Sequence, residues 1–240
     1  MDKPKKRKLP DWMSLTAAEN GASQRAADKD FDLIRHLEES LPTLEFPKSP
    51  VYSYNKEDCC LLCDDILENL QQENSDCFVG FDIEWPVLYR RGHEDKTAVL
   101  QLCFLNNSCY VFQLSSIGGF PDLLEKVLFC QRVKLVGVGI ENDLWKLTRD
   151  FHINFQPLMK ENVVDLGQMA NRVLSTSQLW SLDSLTKHLL RHKLKKDPSV
   201  RTGDWRECPL SEVQLQYAAT DAFACVQIHQ ELLERERQGR

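Results

Sequence analysis

Two carboxylates interrupt an otherwise apolar run in the first half of the chain. Asp82 and Glu84 stand two residues apart within Cys77–Trp85, whose sequence is CFVGFDIEW. The run is typical of a strand, so both acids project from the same face. Like charges on a buried face are costly because each raises the other's pKa and both lose hydration. The apolar neighbours favour a bound Mg²⁺ or Mn²⁺ over the alternative, a solvent-exposed sheet edge.

Two further signals lie in the second half of the chain. Asp143 follows the predicted buried strand Val133–Ile140 near the start of the next helix, where α/β sheets bind ligands. Tyr217 and Asp221, at i and i+4, share one face of a predicted helix. The alternatives are an acid that interacts with the helix dipole and an ordinary amphipathic helix. Together with Asp82 as a bridging ligand, this set suits two-metal phosphodiester hydrolysis, with cations roughly 3.5–4 Å apart.

The hydrophobic pattern predicts the elements that must position these residues. Three β runs come first, then alternating helices and strands, then helices, which predicts one α/β domain with a mixed sheet. The predicted strands are Cys77–Trp85, Thr97–Leu105, Cys109–Leu114, Val133–Ile140 and Glu161–Leu166. The predicted helices are Cys59–Leu70, Phe120–Phe129, Glu141–Phe151, Leu182–Leu190 and Leu210–Leu233.

Composition limits the class of protein. The 240 residues carry 30 Lys+Arg against 36 Asp+Glu, and 42% are hydrophobic, which excludes a wholly disordered chain. No apolar run approaches the roughly 18 residues of a membrane span, so no membrane partner is expected. Residues 1–45 are polar and weakly periodic, which predicts a flexible basic extension. Within it, Lys3–Lys8 (KPKKRK) is typical of a nuclear localisation signal, the alternative being a solvated basic arm.

Four stretches in fixed order resemble the motifs of the DEDDy 3′→5′ exonucleases of the RNase D-like superfamily, and above all its Werner-type members. They are FDIEWP (81–86), GVGIENDLWKL (137–147), WSLDSLTKHLL (180–190) and PLSEVQLQYAATDA (209–222). The resemblance runs over residues 50–235. It implies an RNase H-like mixed β-sheet flanked by helices and makes residues 46–240 a 3′→5′ exonuclease domain.

The resemblance also implies a role for each site residue. Asp82 would bridge two divalent cations, Mg²⁺ or Mn²⁺, while Glu84 and Asp221 complete the first metal site. Asp143 would hold the second ion, partly through water. Tyr217 would orient the water that attacks the phosphate.

Three residues are candidates for binding the substrate. Trp145, two residues after Asp143, suits stacking on a terminal base, although a core tryptophan is an equal alternative. Arg90 and Arg91 suit pairing with backbone phosphate, and a solvated loop is the alternative. The stretch Lys187–Arg206 holds seven basic residues that suit the same purpose, against the alternative of a solvated face.

The expected function is removal of nucleoside monophosphates from DNA 3′ ends, with recessed or frayed duplex as substrate and a role in DNA repair or replication maintenance. A RecQ-type helicase is an expected partner, in the same or a separate chain, and the expected location is nuclear. Two alternatives remain open at this point: an RNase D-like RNA exonuclease and a catalytically silent nucleic-acid-binding module.

Overall fold

A computed structural model describes residues 36–72, 75–86, 95–195 and 197–239 of the chain. By compactness the chain divides into Met1–Leu41 and Pro42–Arg240. Most of the predicted flexible extension and all of the basic run Lys3–Lys8 lie outside the described residues, so both stay predictions. No helix in the described ranges is long and apolar enough to cross a bilayer.

The described residues form six strands: β1 (Val51–Ser53), β2 (Cys77–Glu84), β3 (Val99–Cys103), β4 (Cys109–Phe112), β5 (Val133–Gly137) and β6 (Val163–Asp165). They make one sheet in the order β1-β4-β3-β2-β5-β6. Strand β3 pairs antiparallel with both β2 and β4, and the other neighbours pair parallel, which confirms the predicted mixed sheet.

Helices cover both faces of this sheet. They are α1 (Lys56–Gln72), α2 (Leu114–Ile117), α3 (Asp122–Leu128), α4 (Ile140–Phe151), α5 (Gln156–Glu161), α6 (Leu166–Leu174), α7 (Leu182–Leu185), a π-helical segment (Thr186–Leu190), α8 (Pro198–Arg201) and α9 (Glu212–Gln238). Helices α1, α3 and α4 share one buried apolar cluster with the sheet. Helices α6 and α9 share a second cluster with β5, and α9 packs against β3 and β4 in a third.

The alternation along β2 sorts its residues between these two faces. Val79, Phe81 and Ile83 are buried in the cluster that contains α1 and α4. The intervening Gly80 faces α9, because a Cβ there would lie 1.9 Å from the carbonyl oxygen of Ala222. The same alternation turns the acidic positions of β2 towards α9.

The differences from the sequence prediction include one missed strand and one shifted boundary. Strand β1 was missed because three residues are too few to show periodicity. Strand β5 ends at Gly137 rather than Ile140. The reason is Gly139, whose φ of 67° turns the chain into α4 and is a conformation that glycine adopts readily.

Candidate active site

Asp82, Glu84 and Asp221 converge at the interface of β2 and α9. One carboxylate oxygen from each residue lies within 4.8 Å of the other two, although residues 84 and 221 are far apart in sequence. Strand β2 pairs with β3 on one side and β5 on the other. Strand β2 is thus an interior strand and its two acids are only partly exposed, so the alternative of a solvent-exposed sheet edge is wrong.

The contact between β2 and α9 depends on Gly80. The backbone of α9 lies against this residue at Ala222, one position after Asp221, so a side chain at position 80 has no room. The helix itself begins with a capping box, in which the Ser211 hydroxyl accepts from the Gln214 backbone N–H. The close approach at Gly80 places Asp221 opposite the strand acids.

Burial and mutual repulsion make these carboxylates hard to ionise. Burial raises the pKa of Asp82 to about 6, although the Ile83 backbone N–H opposes the rise. Burial raises the pKa of Glu84 well above its usual range, and the charges of Asp82 and Asp221 raise it further. Burial and the Asp82 charge do the same to the pKa of Asp221. Among the described residues, the positive charge of Arg201 offsets only part of this effect at Glu84 and Asp221.

Tyr217 lies one helical turn before Asp221 and is hydrogen-bonded to it. The Tyr217 hydroxyl donates to the carboxylate, which lowers the pKa of Asp221 against the effect of burial. Burial, followed by the charge of Asp221, raises the pKa of Tyr217 well above its usual range. The hydroxyl therefore stays protonated at neutral pH and remains a donor or acceptor at the rim of the cluster.

Asp143 stands in the first turn of α4, close enough to interact with the strand acids but outside their tightest group. Burial and then the Asp82 charge raise its pKa to about 8, and its own charge raises the pKa of Glu84. The start of α4 is fixed because the Gly139 N–H donates to the Asp165 carboxylate at 2.7 Å. The structure thus brings all four acids into one electrostatic unit.

A buried ionic network holds α4 against the ends of β2 and β3. The Lys146 ammonium lies 3.1 Å from the Asp150 carboxylate and 4.9 Å from the centre of the Trp85 ring. Asp150 in turn accepts from the backbone N–H and the hydroxyl of Thr97, at 2.7 and 2.8 Å. Lys146 is three residues from Asp143, so the network fixes the position of that acid. The sequence pattern did not reveal this network.

The donor set fits a divalent cation. Three carboxylates offer hard oxygen ligands at a spacing that one ion can bridge. Gln101 lies opposite Asp82 in the strand register and is fully buried, and its amide oxygen and nitrogen find no partner among the described residues. Unmet hydrogen bonds beside buried acids match the surroundings of a hydrated metal ion.

The raised pKa values predict how the metal-free protein responds to pH. Asp82 and Asp143 hold protons in the folded state up to about pH 6 and 8, whereas unfolded carboxyls release them near pH 4. The folded state therefore binds more protons in this window, and the free energy of unfolding falls as pH rises. We expect the Tm in EDTA to drop by roughly 5 °C between pH 5 and pH 8.

This pH dependence is measured by differential scanning calorimetry with matched variants. Asp143→Asn should flatten the decline, while Asp64→Asn, an exposed acid on α1, should leave it unchanged. Added Mn²⁺ should raise the Tm at pH 8. If the Tm of the metal-free protein instead increases from pH 5 to pH 8, the repulsion between these carboxylates is wrong.

The predicted substrate residues have different positions. Trp145 on α4 is 42% exposed, which excludes the alternative of a core tryptophan. Arg90 and Arg91 lie outside the described residues and stay predictions. Arg201, at the end of α8, was not among the residues predicted from the sequence, and its positive charge lowers the pKa of Glu84 and Asp221. In the sequence it is one of seven basic residues in Lys187–Arg206, and no pattern distinguishes it from the others.

Comparisons with known proteins place the chain among exonucleases. It is 43% identical over 228 residues to the mouse bifunctional 3′-5′ exonuclease/ATP-dependent helicase WRN, covering 94% of this chain and 15% of that protein. It is 35% identical over 201 residues to a 3′-5′ exonuclease of Drosophila erecta, covering 83% of this chain and 56% of the fly protein. The chain thus spans only part of each relative.

Solved structures show the same fold. Escherichia coli RNase D aligns with a TM-score of 0.63 at 18% identity, over 80% of this chain and 46% of that one. The EXO domain of Aedes aegypti Nibbler aligns with a TM-score of 0.65 at 18% identity, over 80% of this chain and 90% of that one. A family model described as 3′-5′ exonuclease matches residues 55–236, so the chain belongs to the 3′-5′ exonuclease family.

Proposed function

We propose that this exonuclease degrades DNA from the 3′ end with two divalent cations, Mg²⁺ or Mn²⁺, and releases nucleoside monophosphates. The observation that carries the proposal is the convergence of one carboxylate oxygen each from Asp82, Glu84 and Asp221 within 4.8 Å, on a half-buried surface. Such a group is unfavourable by itself, because desolvation and repulsion both oppose its ionisation. Divalent cations remove this cost and stabilise the attacking and leaving oxygens of phosphodiester hydrolysis.

Each residue of the site has a proposed task. Asp82, whose charge raises the pKa of both Glu84 and Asp143, would be the ligand that both ions share. Glu84 and Asp221 would complete one metal site, and Asp143 would hold the other ion in part through water. The Tyr217 hydroxyl, already hydrogen-bonded to Asp221, orients the attacking water.

The choice of DNA rests on the relatives. The mouse relative is named as both an exonuclease and an ATP-dependent helicase, and the match covers 94% of this chain. Because a helicase separates strands and exposes their ends, we propose a recessed or frayed 3′ end as the substrate. We therefore propose for this chain a role in DNA repair or replication maintenance. Trp145, half-exposed on α4 two residues after Asp143, is the residue that we propose to stack on the terminal base.

The test is degradation of a 5′-labelled, 3′-recessed DNA duplex beside an RNA duplex of the same sequence. We expect a ladder of shortened DNA strands with Mg²⁺ or Mn²⁺ and none with EDTA. At least tenfold faster degradation of the RNA would replace this proposal with the RNase D-like alternative, since the 2′-hydroxyl distinguishes the two substrates. Binding without degradation of either would favour a silent nucleic-acid-binding module.

Tyr217→Phe removes only the hydroxyl proposed to orient the water. We expect the single-turnover rate to fall about 100-fold, in the range of general acid–base or positioning groups. Mn²⁺ affinity, measured by calorimetry, should stay within about threefold, because the carboxylate ligands remain. A rate equal to that of the wild type would show that Tyr217 has no part in positioning the water.

The proposed setting is the nucleus, together with a RecQ-type helicase in the same or a separate chain. The basic run Lys3–Lys8 and the helicase in the mouse relative support these two proposals. Fusing residues 1–10 to a fluorescent reporter tests the localisation signal. Replacing the basic residues of the run by Gln should return the reporter to the distribution of the unfused protein.

A further inference from the structure

The basic residues of the stretch Lys187–Arg206 differ in the groups that they contact. The Lys187 ammonium lies 3.1 Å from a carboxylate oxygen of Asp183. The Arg206 guanidinium lies 2.9 Å from Asp204 and 3.3 Å from Asp95. These two cations are already paired with carboxylates of the protein, so they contribute little net charge to a bound substrate.

Arg201 has a different environment. Its side chain lines one cleft together with Tyr217 and Asp221. Those two residues are assigned to the attacking water and to one metal ion. The Arg201 side chain therefore borders the proposed reaction centre, and the lowering effect of its positive charge on the pKa of Asp221 agrees with this position.

The side chain of Arg201 is accessible from a cleft that opens on the acids. The cleft has a volume of about 470 Å³, and its lining includes Arg201, Tyr217, Asp221 and Lys195. Arg201 itself is exposed, so a phosphate that enters the cleft can reach the guanidinium. The cleft thus joins a fixed cation to the proposed reaction centre.

The backbone at Arg201 is held firmly. Its N–H donates to the Asp197 carbonyl at 3.1 Å, and its own carbonyl accepts from the indole N–H of Trp205 at 3.3 Å. Trp205 is fully buried in the cluster that also contains Val99 and Ala218. Short helix α8 is thereby anchored to the sheet and α9, and the guanidinium extends from a rigid base.

We propose that the Arg201 guanidinium binds a non-bridging oxygen of the scissile phosphate, an inference that rests on the proposed function. Two divalent cations offset the charge of the four carboxylates, which leaves the negative charge of the phosphate to be met by another group. A guanidinium presents paired N–H donors that match phosphate oxygens. Charge that develops on those oxygens during attack is then stabilised by a donor fixed in advance.

The test measures binding and chemistry separately for three variants. Arg201→Gln removes the charge, and Arg201→Lys keeps it without the paired donors. Arg172→Gln is the matched control, because it removes an arginine that is 67% exposed on α6, outside the basic stretch. Single-turnover cleavage of the 3′-recessed duplex gives the rate, and fluorescence anisotropy in Ca²⁺ gives the Kd. Thermal denaturation establishes that each variant is folded.

We expect Arg201→Gln to slow cleavage about 100-fold, as loss of one transition-state donor does, with a Kd within about threefold of the wild type. Arg201→Lys should be about tenfold slower than the wild type. If the glutamine variant does not fold, the lysine variant decides the matter, since wild-type cleavage by it would overturn the inference. A rate for Arg201→Gln equal to that of Arg172→Gln would overturn it, as would a loss confined to Kd.

Failure of this inference is distinguishable from failure of the proposed function. Metal-dependent digestion of DNA by the wild type, abolished in Asp82→Asn, tests the function whatever Arg201 does. The ratio of the cleavage rates of Arg201→Gln and Arg172→Gln tests only the contact with the phosphate. A wild type that degrades DNA while Arg201→Gln does so equally fast would leave the exonuclease assignment standing and remove Arg201 from it.

Discussion

Asp82→Asn is expected to lower the single-turnover rate of DNA digestion by about 1,000-fold or more, since metal ions supply several kcal/mol of charge stabilisation. The amide retains the shape of the side chain but cannot bridge two cations as a carboxylate does. The substitution also removes a charge that raises the pKa of Glu84 and Asp221. The metal-free variant should therefore unfold at a higher temperature than the metal-free wild type.

This combination of lost activity and gained metal-free stability separates a metal site from a structural one. Asp64→Asn, which changes an exposed acid on α1, is the control and should match the wild type in both measurements. Digestion is followed by gel electrophoresis of 5′-labelled duplex, and stability by calorimetry in EDTA. Asp82→Asn that keeps more than a tenth of the wild-type rate would remove this residue from the catalytic centre.

Gly80→Ala is expected to have the second large effect, although it adds only a methyl group. The new Cβ would lie 1.9 Å from the carbonyl oxygen of Ala222 and 2.8 Å from a methyl carbon of Val226. Backbone cannot rotate out of the way, so α9 must move off β2. We expect a loss of about 3 kcal/mol in the free energy of unfolding, the upper range for overpacking.

The same movement should reduce activity in the molecules that remain folded. Asp221 and Tyr217 shift with α9, and a misplacement of about 1 Å at a catalytic centre costs roughly 100-fold in rate. Urea denaturation and single-turnover digestion measure the two effects. The matched control is Gly239→Ala at the end of α9, where the Cβ meets only the Arg235 carbonyl at 3.4 Å. If both alanine variants show equal stability, the close packing of β2 and α9 is not required.

Local patterns in the sequence predicted the parts of the site that depend on neighbours along the chain. The period of two in a strand placed Asp82 and Glu84 on one face, and the i, i+4 spacing placed Tyr217 beside Asp221. The end of a buried strand located Asp143. These relations are fixed by backbone geometry within one element, so composition and spacing were sufficient to find them.

Relations between distant segments were beyond the reach of these patterns. The approach of α9 to β2 depends on a missing side chain at Gly80, which an isolated glycine does not reveal. The seven basic residues of Lys187–Arg206 read alike in sequence, because their partners, such as Asp95 for Arg206, come from elsewhere in the chain. Periodicity alone did not predict how these distant segments meet. The four motifs, in the same order as in a known family, did predict it.

The most direct test of a two-metal centre is anomalous diffraction from crystals soaked in Mn²⁺. We expect two peaks roughly 3.5–4 Å apart, both in contact with Asp82. One should also contact Glu84 and Asp221, and the other should lie on the side of Asp143. If saturating Mn²⁺ gives no peak at these carboxylates, or if Asp82 contacts no metal ion, the two-metal centre is wrong.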